Sequence, residues 1–175
     1  TAAFQLPASA PTVTLDSART IGRLELLGTG WTTAVMPTIS GANTLTFDNG
    51  AGTPVIKLSD DAISGFITGP TINVAVAGSN GLRIEGTGRR QNVVWSPSSM
   101  SLTGGITIDG AIVSFESAAS LGSNAITLTG NQKISLLRPT QEVTISNNII
   151  LDNGLGGFMG GMGGGSTILP PFTQT

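Results

Sequence analysis

The sequence predicts an all-β chain and, within that class, a single-stranded parallel β-helix (a β-solenoid) of about six or seven coils. Three observations carry this reading. Strong helix formers are scarce: Lys and Glu together are confined to Lys57, Lys133, Glu25, Glu85, Glu116 and Glu142, against 25 Gly and 9 Pro in 175 residues. Apolar–polar alternations of three to five residues are separated by Gly, Asn and Asp turns, shorter than the runs of about 5–6 usual in a sandwich. Comparable segments return about every 20–24 residues, as in Leu82-Arg-Ile84, Ile106-Thr-Ile108 and Ile126-Thr-Leu128, and such a period marks a solenoid. A β-sandwich is the alternative.

Three regions follow. Residues 1–11 read as an N-terminal arm with Phe4 and Leu6 as its apolar side chains, 12–153 as the solenoid, and 154–175 as a Gly-rich C-terminal arm; both arms are expected to lie outside the coil. Thr12–Leu15 is the first alternation. Ile21–Leu27 is the second, with Leu24 and Leu26 on one face and Arg23 and Glu25 on the other. Trp31–Met36 is a third, ended by Pro37. Thr38–Gly50 reads as strand, turn, strand, with Ser40-Gly-Ala-Asn43 as the turn and Leu45 and Phe47 pointing inward. Val55–Leu58, Ile63, Phe66-Ile67, Thr71–Val76 and Leu82–Glu85 continue the series. In the second half the expected strands are Val93–Trp95, Met100–Leu102, Ile106–Ile108, Ile112–Phe115, Ile126–Leu128, Ile134–Leu136, Val143–Ile145 and Ile149–Leu151. Gly and Asn between them supply the backbone of the corners.

TVTLDSARTIGRLEL followed by TISGANTLTFDNG, about residues 12–60, resembles the autotransporter-associated β-strand repeat of secreted bacterial surface proteins. The resemblance implies a right-handed β-helix carried outside the cell. It brings no catalytic residues with it.

Composition narrows the function. Charged residues are 10% of the chain and net charge is −2, and the pI is about 4.8, so nothing attracts a phosphate backbone and no nucleic-acid partner is expected. No apolar run is long enough to span a bilayer. Cys is absent, which leaves the redox compartment open. A start at Thr1-Ala-Ala-Phe reads as the end left by a signal peptidase, or as a boundary of other origin; with the composition, the first implies an extracellular or cell-surface protein.

With neither His nor Cys, Ser-His-Asp, Cys-His and the usual zinc sites are impossible. The enzyme alternative is a polysaccharide lyase or hydrolase, for which Asp60-Asp61, Asp109 with Glu116 or Glu85, and Arg83, Arg89 and Arg90 are the candidates. Trp31 and Trp95 are thin provision for sugar stacking. Asp48-Asn-Gly50 and Asp152-Asn-Gly154 offer oxygen ligands for calcium, but two such sites fall well short of a tandem calcium-binding array and Asx-turns are the better account of them. The expectation is therefore a non-enzyme without cofactor or metal, with carbohydrate as a conceivable ligand.

The remaining signal lies in the arms. Gly154–Gly165 contains eight Gly with Leu155, Phe158, Met159 and Met162, followed by Ile168, Leu169 and Phe172. Such a segment cannot fold alone and needs a surface to lie on. A coil has two open ends, each a template for another strand, and no amphipathic capping helix is visible at either. Arms bearing Phe4, Leu6, Leu155, Phe158, Met159, Met162, Ile168, Leu169 and Phe172 suggest a subunit that stacks head to tail as a homopolymer, a filament or surface layer. The alternatives are arms that cap their own chain, and a monomeric adhesin or carbohydrate-binding domain.

Overall fold

The computed structural model describes residues 2–5, 12–27, 37–59, 69–86, 91–129, 135–152, 157–159 and 172–174. These form seventeen strands and one 3-10 turn, with no α-helix among the described residues. In chain order the strands are β1 (Ala2–Gln5), β2 (Thr12–Thr14), β3 (Arg19–Ile21), β4 (Arg23–Leu27), β5 (Thr38–Phe47), β6 (Val55–Ser59), β7 (Thr71–Gly78), β8 (Leu82–Gly86) and β9 (Asn92–Trp95). They continue as β10 (Ser99–Leu102), β11 (Ile106–Asp109), β12 (Ile112–Phe115), the 3-10 turn Ala118–Leu121, β13 (Ile126–Thr129), β14 (Ser135–Pro139), β15 (Ile149–Leu151), β16 (Gly157–Met159) and β17 (Phe172–Gln174).

All the strand pairings are parallel, and they build a β-solenoid. One sheet runs β1-β4-β6-β8-β11-β13-β15-β17 and the other β16-β14-β12-β9-β7-β5-β2. The first sheet stacks eight strands and the second a path of seven, and the early steps from rung to rung are longer than the later ones. Leu24 stands opposite Ile56, a much wider step along the chain than that from Ile106 to Ile126.

Alternation decides what faces inward. In β8, β11 and β13 every second residue is buried. Leu82, Ile106, Ile126 and Ile149 stand in register on successive strands, as do Ile84, Ile108, Leu128 and Leu151. Each fully buried Ile or Leu contributes about 1.5–3 kcal/mol, and stacking like on like keeps each column filled. Trp95, fully buried, satisfies its indole N–H by donating to the Ser120 carbonyl at 2.8 Å. At the corner before the first sheet, Gly81 and Gly104 have φ of 72° and 85°. A Cβ on Gly104 would lie 2.6 Å from the Gly81 nitrogen, so neither backbone sign nor space admits a side chain there.

The structure departs from the sequence reading in three places. Thr38–Phe47 is one bent strand, not two: its first residues pair with β2 and its last with β3, and the register shifts between Ser40 and Thr44. Gly41, at φ 135°, lets the chain turn from one face of the coil to the next without leaving the ladder. β7 does the same, pairing with both β9 and β10. Val143–Ile145 is not a strand, because the preceding coil has the 3-10 turn Ala118–Leu121 at the corresponding place and offers no extended edge. The described parts of the arms are not outside the coil: β1 pairs in register with β4, β16 with β14, and β17 with β15. The expected strands over 31–36, 63 and 66–67 lie outside the described residues.

Candidate assembly interface

The ends of the two sheets are the candidate site. At the N-terminal end β1 is the last strand of one sheet, and β2 and β3 are edge strands of the other. Inside that end is a cavity of about 320 Å³ lined by Val13, Leu15, Ile21, Leu24, Ile39 and Leu45, with Asp16 and Arg19 at its rim. Val13, Leu15 and Ile21 are only partly buried, whereas Leu24, Ile39 and Leu45 behind them belong to the core. A rung of apolar side chains is thus incompletely covered at this end.

Arg19 Nη2 donates to Asp16 Oδ1 at 2.9 Å and Ser17 Oγ to the same oxygen at 3.1 Å. The Arg19 hydrogen bond first, then that of Ser17, holds the Asp16 carboxyl below its ordinary pKa. With the folded pKa depressed, the contact favours the fold above the unfolded pKa and is lost as pH falls through the folded one. The carboxylate is fully exposed, so solvent screens most of the effect.

The predicted assembly residues divide sharply. Phe4 stands opposite Leu26 on β1; Phe158 and Met159 stand opposite Leu136 and Leu137 on β16; Phe172 stands opposite Ile149 on β17. All four therefore sit on the terminal strands of the ladder. Leu6, Leu155, Met162, Ile168 and Leu169 lie outside the described residues. Sequence reasoning missed the cavity, because its lining comes from four separate strands and the only linear signal, TVTL, is shared with the core.

The enzyme candidates resolve into a charged strip on the outside of the first sheet. Asp109 and Glu85 are register partners on adjacent strands, and Arg83 lies between them. It donates to Asp109 Oδ2, and its Nε is 2.9 Å from Glu85 Oε1. Lys57 stands in register between Glu25 and Glu85. Glu25 and Glu85 thus face Lys57 across the strands, whereas Asp109 faces the Glu85 carboxylate and is balanced by the Arg83 guanidinium that binds both. Opposite charges on neighbouring strands stabilise the pairing and like charges oppose it. Glu116 is exposed near the 3-10 turn; Asp60, Asp61, Arg89, Arg90 and Trp31 lie outside the described residues. Asp48 Oδ1 accepts from the Gly50 N–H at 2.8 Å, the Asx-turn geometry. Among the described residues no three acidic side chains gather as a metal site.

No family model, curated protein or solved structure matches this chain. Among the described residues no helix is long and apolar enough to cross a membrane.

Proposed function

We propose that the protein is a structural subunit that stacks end to end, as a filament or surface layer outside the cell. The observation that carries this is the pair of like-oriented ladder ends, on which no further strand pairs among the described residues. Every pairing is parallel, so the β16/β17 end of one copy has the polarity needed to continue into the β1 and β2/β3 end of the next. The contact is heterologous and does not close on itself, which makes a fibre rather than a dimer. The incompletely covered rung at the N-terminal end gives the contact an apolar centre. Extracellular placement is supported by the turn-rich, weakly charged composition and by the resemblance of residues 12–60 to a surface-protein repeat. No catalytic role is assigned to the strip around Arg83.

Eight strands in the first sheet, at about 4.8 Å each, give a subunit rise of about 38 Å along the fibre. Negative-stain microscopy of the purified protein is expected to show thin fibres with that axial repeat. Deleting residues 154–175 is expected to abolish them while leaving a β-type circular dichroism spectrum. Monodisperse particles at every concentration overturn the proposal in favour of a monomeric adhesin or carbohydrate-binding domain. Unfolding of the truncated chain makes the C-terminal arm a cap for its own coil.

A further inference from the structure

Strands β12 and β14 are buried on both faces. Val93, Val113 and Leu137 point into the main core, so the alternate positions Asn92, Ile112, Ser114, Leu136 and Arg138 face away from it. These outward residues are nonetheless buried, Asn92 and Ser114 to 1% and Arg138 to 7% exposure. They lie on three neighbouring strands: Ser114 is in register with Arg138, and Asn92 with Ile112. Ser114 Oγ donates to Asn92 Oδ1 at 2.9 Å. That leaves Asn92 Nδ2 to donate, and it is buried without a partner, as is Arg138 Nε. No carboxylate among the described residues pairs with Arg138.

A guanidinium keeps its charge at any accessible pH and has only donors to offer. Burying it unpaired is strongly unfavourable. The missing complement is negatively charged and accepts hydrogen bonds. One cation, next along the outer face from the apolar register pair Ile112 and Leu136, matches a monoanion better than a dianion. The planar fork of Arg matches a carboxylate through two parallel hydrogen bonds. We propose that Arg138, Asn92 and Ser114 form a binding site for a carboxylate on the outer face of the second sheet. Arg138 supplies the charge and the fork, Asn92 Nδ2 a further donor, and Ser114 holds the Asn92 amide in the orientation that presents it. A small carboxylic acid and the uronate of an acidic sugar share this chemistry. The residues of the site lie on β9, β12 and β14, and β14 is one strand in from the terminal β16.

The test is thermal unfolding of the full chain in sodium acetate, sodium glucuronate, sodium sulfate and sodium chloride at equal ionic strength. Acetate is expected to raise Tm saturably over chloride by about 5 °C. A matching response to glucuronate assigns the site to sugar acids, and a response to acetate alone assigns it to small acids. Arg138→Met is expected to lose the acetate response. Ser114→Asp places a carboxylate in register with Arg138 on the neighbouring strand and is expected to raise Tm in chloride while removing the response. Equal Tm in acetate, glucuronate and chloride overturns the proposal, as does a response to sulfate alone. An acetate shift that survives in Arg138→Met also overturns it. Should either variant fail to fold, the comparison of anions on the parent chain decides.

Discussion

Leu128 sits fully buried in a column with Ile84 and Ile108, and its neighbours above and below are as apolar as it is. Nothing in that column can hydrogen-bond an introduced charge. Leu128→Asp is expected to cost more than about 4 kcal/mol, from lost burial together with an unpaired carboxylate. Urea unfolding measures it, and a midpoint equal to that of the parent would show that the column does not hold the coil together. Residues of this kind were legible in the sequence, because a period of two assigns one face and the repeated Ile-Thr-Ile and Ile-Thr-Leu segments assign the register. Arg138 was not. Its strand, Ser-Leu-Leu-Arg-Pro, has no clean alternation, and nothing local says that a charged side chain on the outer face is covered.

Corners make the strands into elements of one coil. Asn147 Nδ2 donates to the carbonyls of Gly122 and Asn124 at 3.0 and 2.8 Å, and Asn124 Nδ2 donates to the Leu102 carbonyl at 2.6 Å. One amide thus ties its own turn to the turn of the preceding coil, where strand pairing is interrupted. Asn147→Ala is expected to destabilise by about 1–3 kcal/mol, since buried carbonyls lose their donor. Asn147→Asp is expected to cost at least as much, because a carboxylate facing two carbonyls repels them. Chemical denaturation checks both, and the account of the corner fails if either variant matches the parent. Gly-Ser-Asn and Asn-Asn announced turns in the sequence. Which carbonyls they would hold was not readable, because the partners lie one whole coil away.

At the scale of the molecule, stacking and stability are linked. Anything that binds the folded subunit and not the unfolded chain raises its melting temperature by mass action. If the subunits stack through their ladder ends, Tm is expected to rise with protein concentration, by about 2–4 °C for each kcal/mol of contact. Arg19→Glu, which places a second acid beside Asp16 at the rim of the N-terminal cavity, is expected to weaken the concentration dependence while leaving the dilute Tm nearly unchanged. A Tm independent of concentration across the range in which microscopy is done would count against end-to-end association.

The sequence by itself determined the fold class, the inward columns of the later coils and the lack of a His- or Cys-based site, since each depends on residue type and on a period of two or of one coil. Only the tertiary structure decided that Thr38–Phe47 bends through one continuous strand, that parts of both arms join the ladder, and that Asn92, Ser114 and Arg138 lie buried on three neighbouring strands. These outcomes depend on what lies one turn above or below. Coil length varies along the chain, so the vertical neighbours of a residue are set by closure of the coil and not by its place in the sequence.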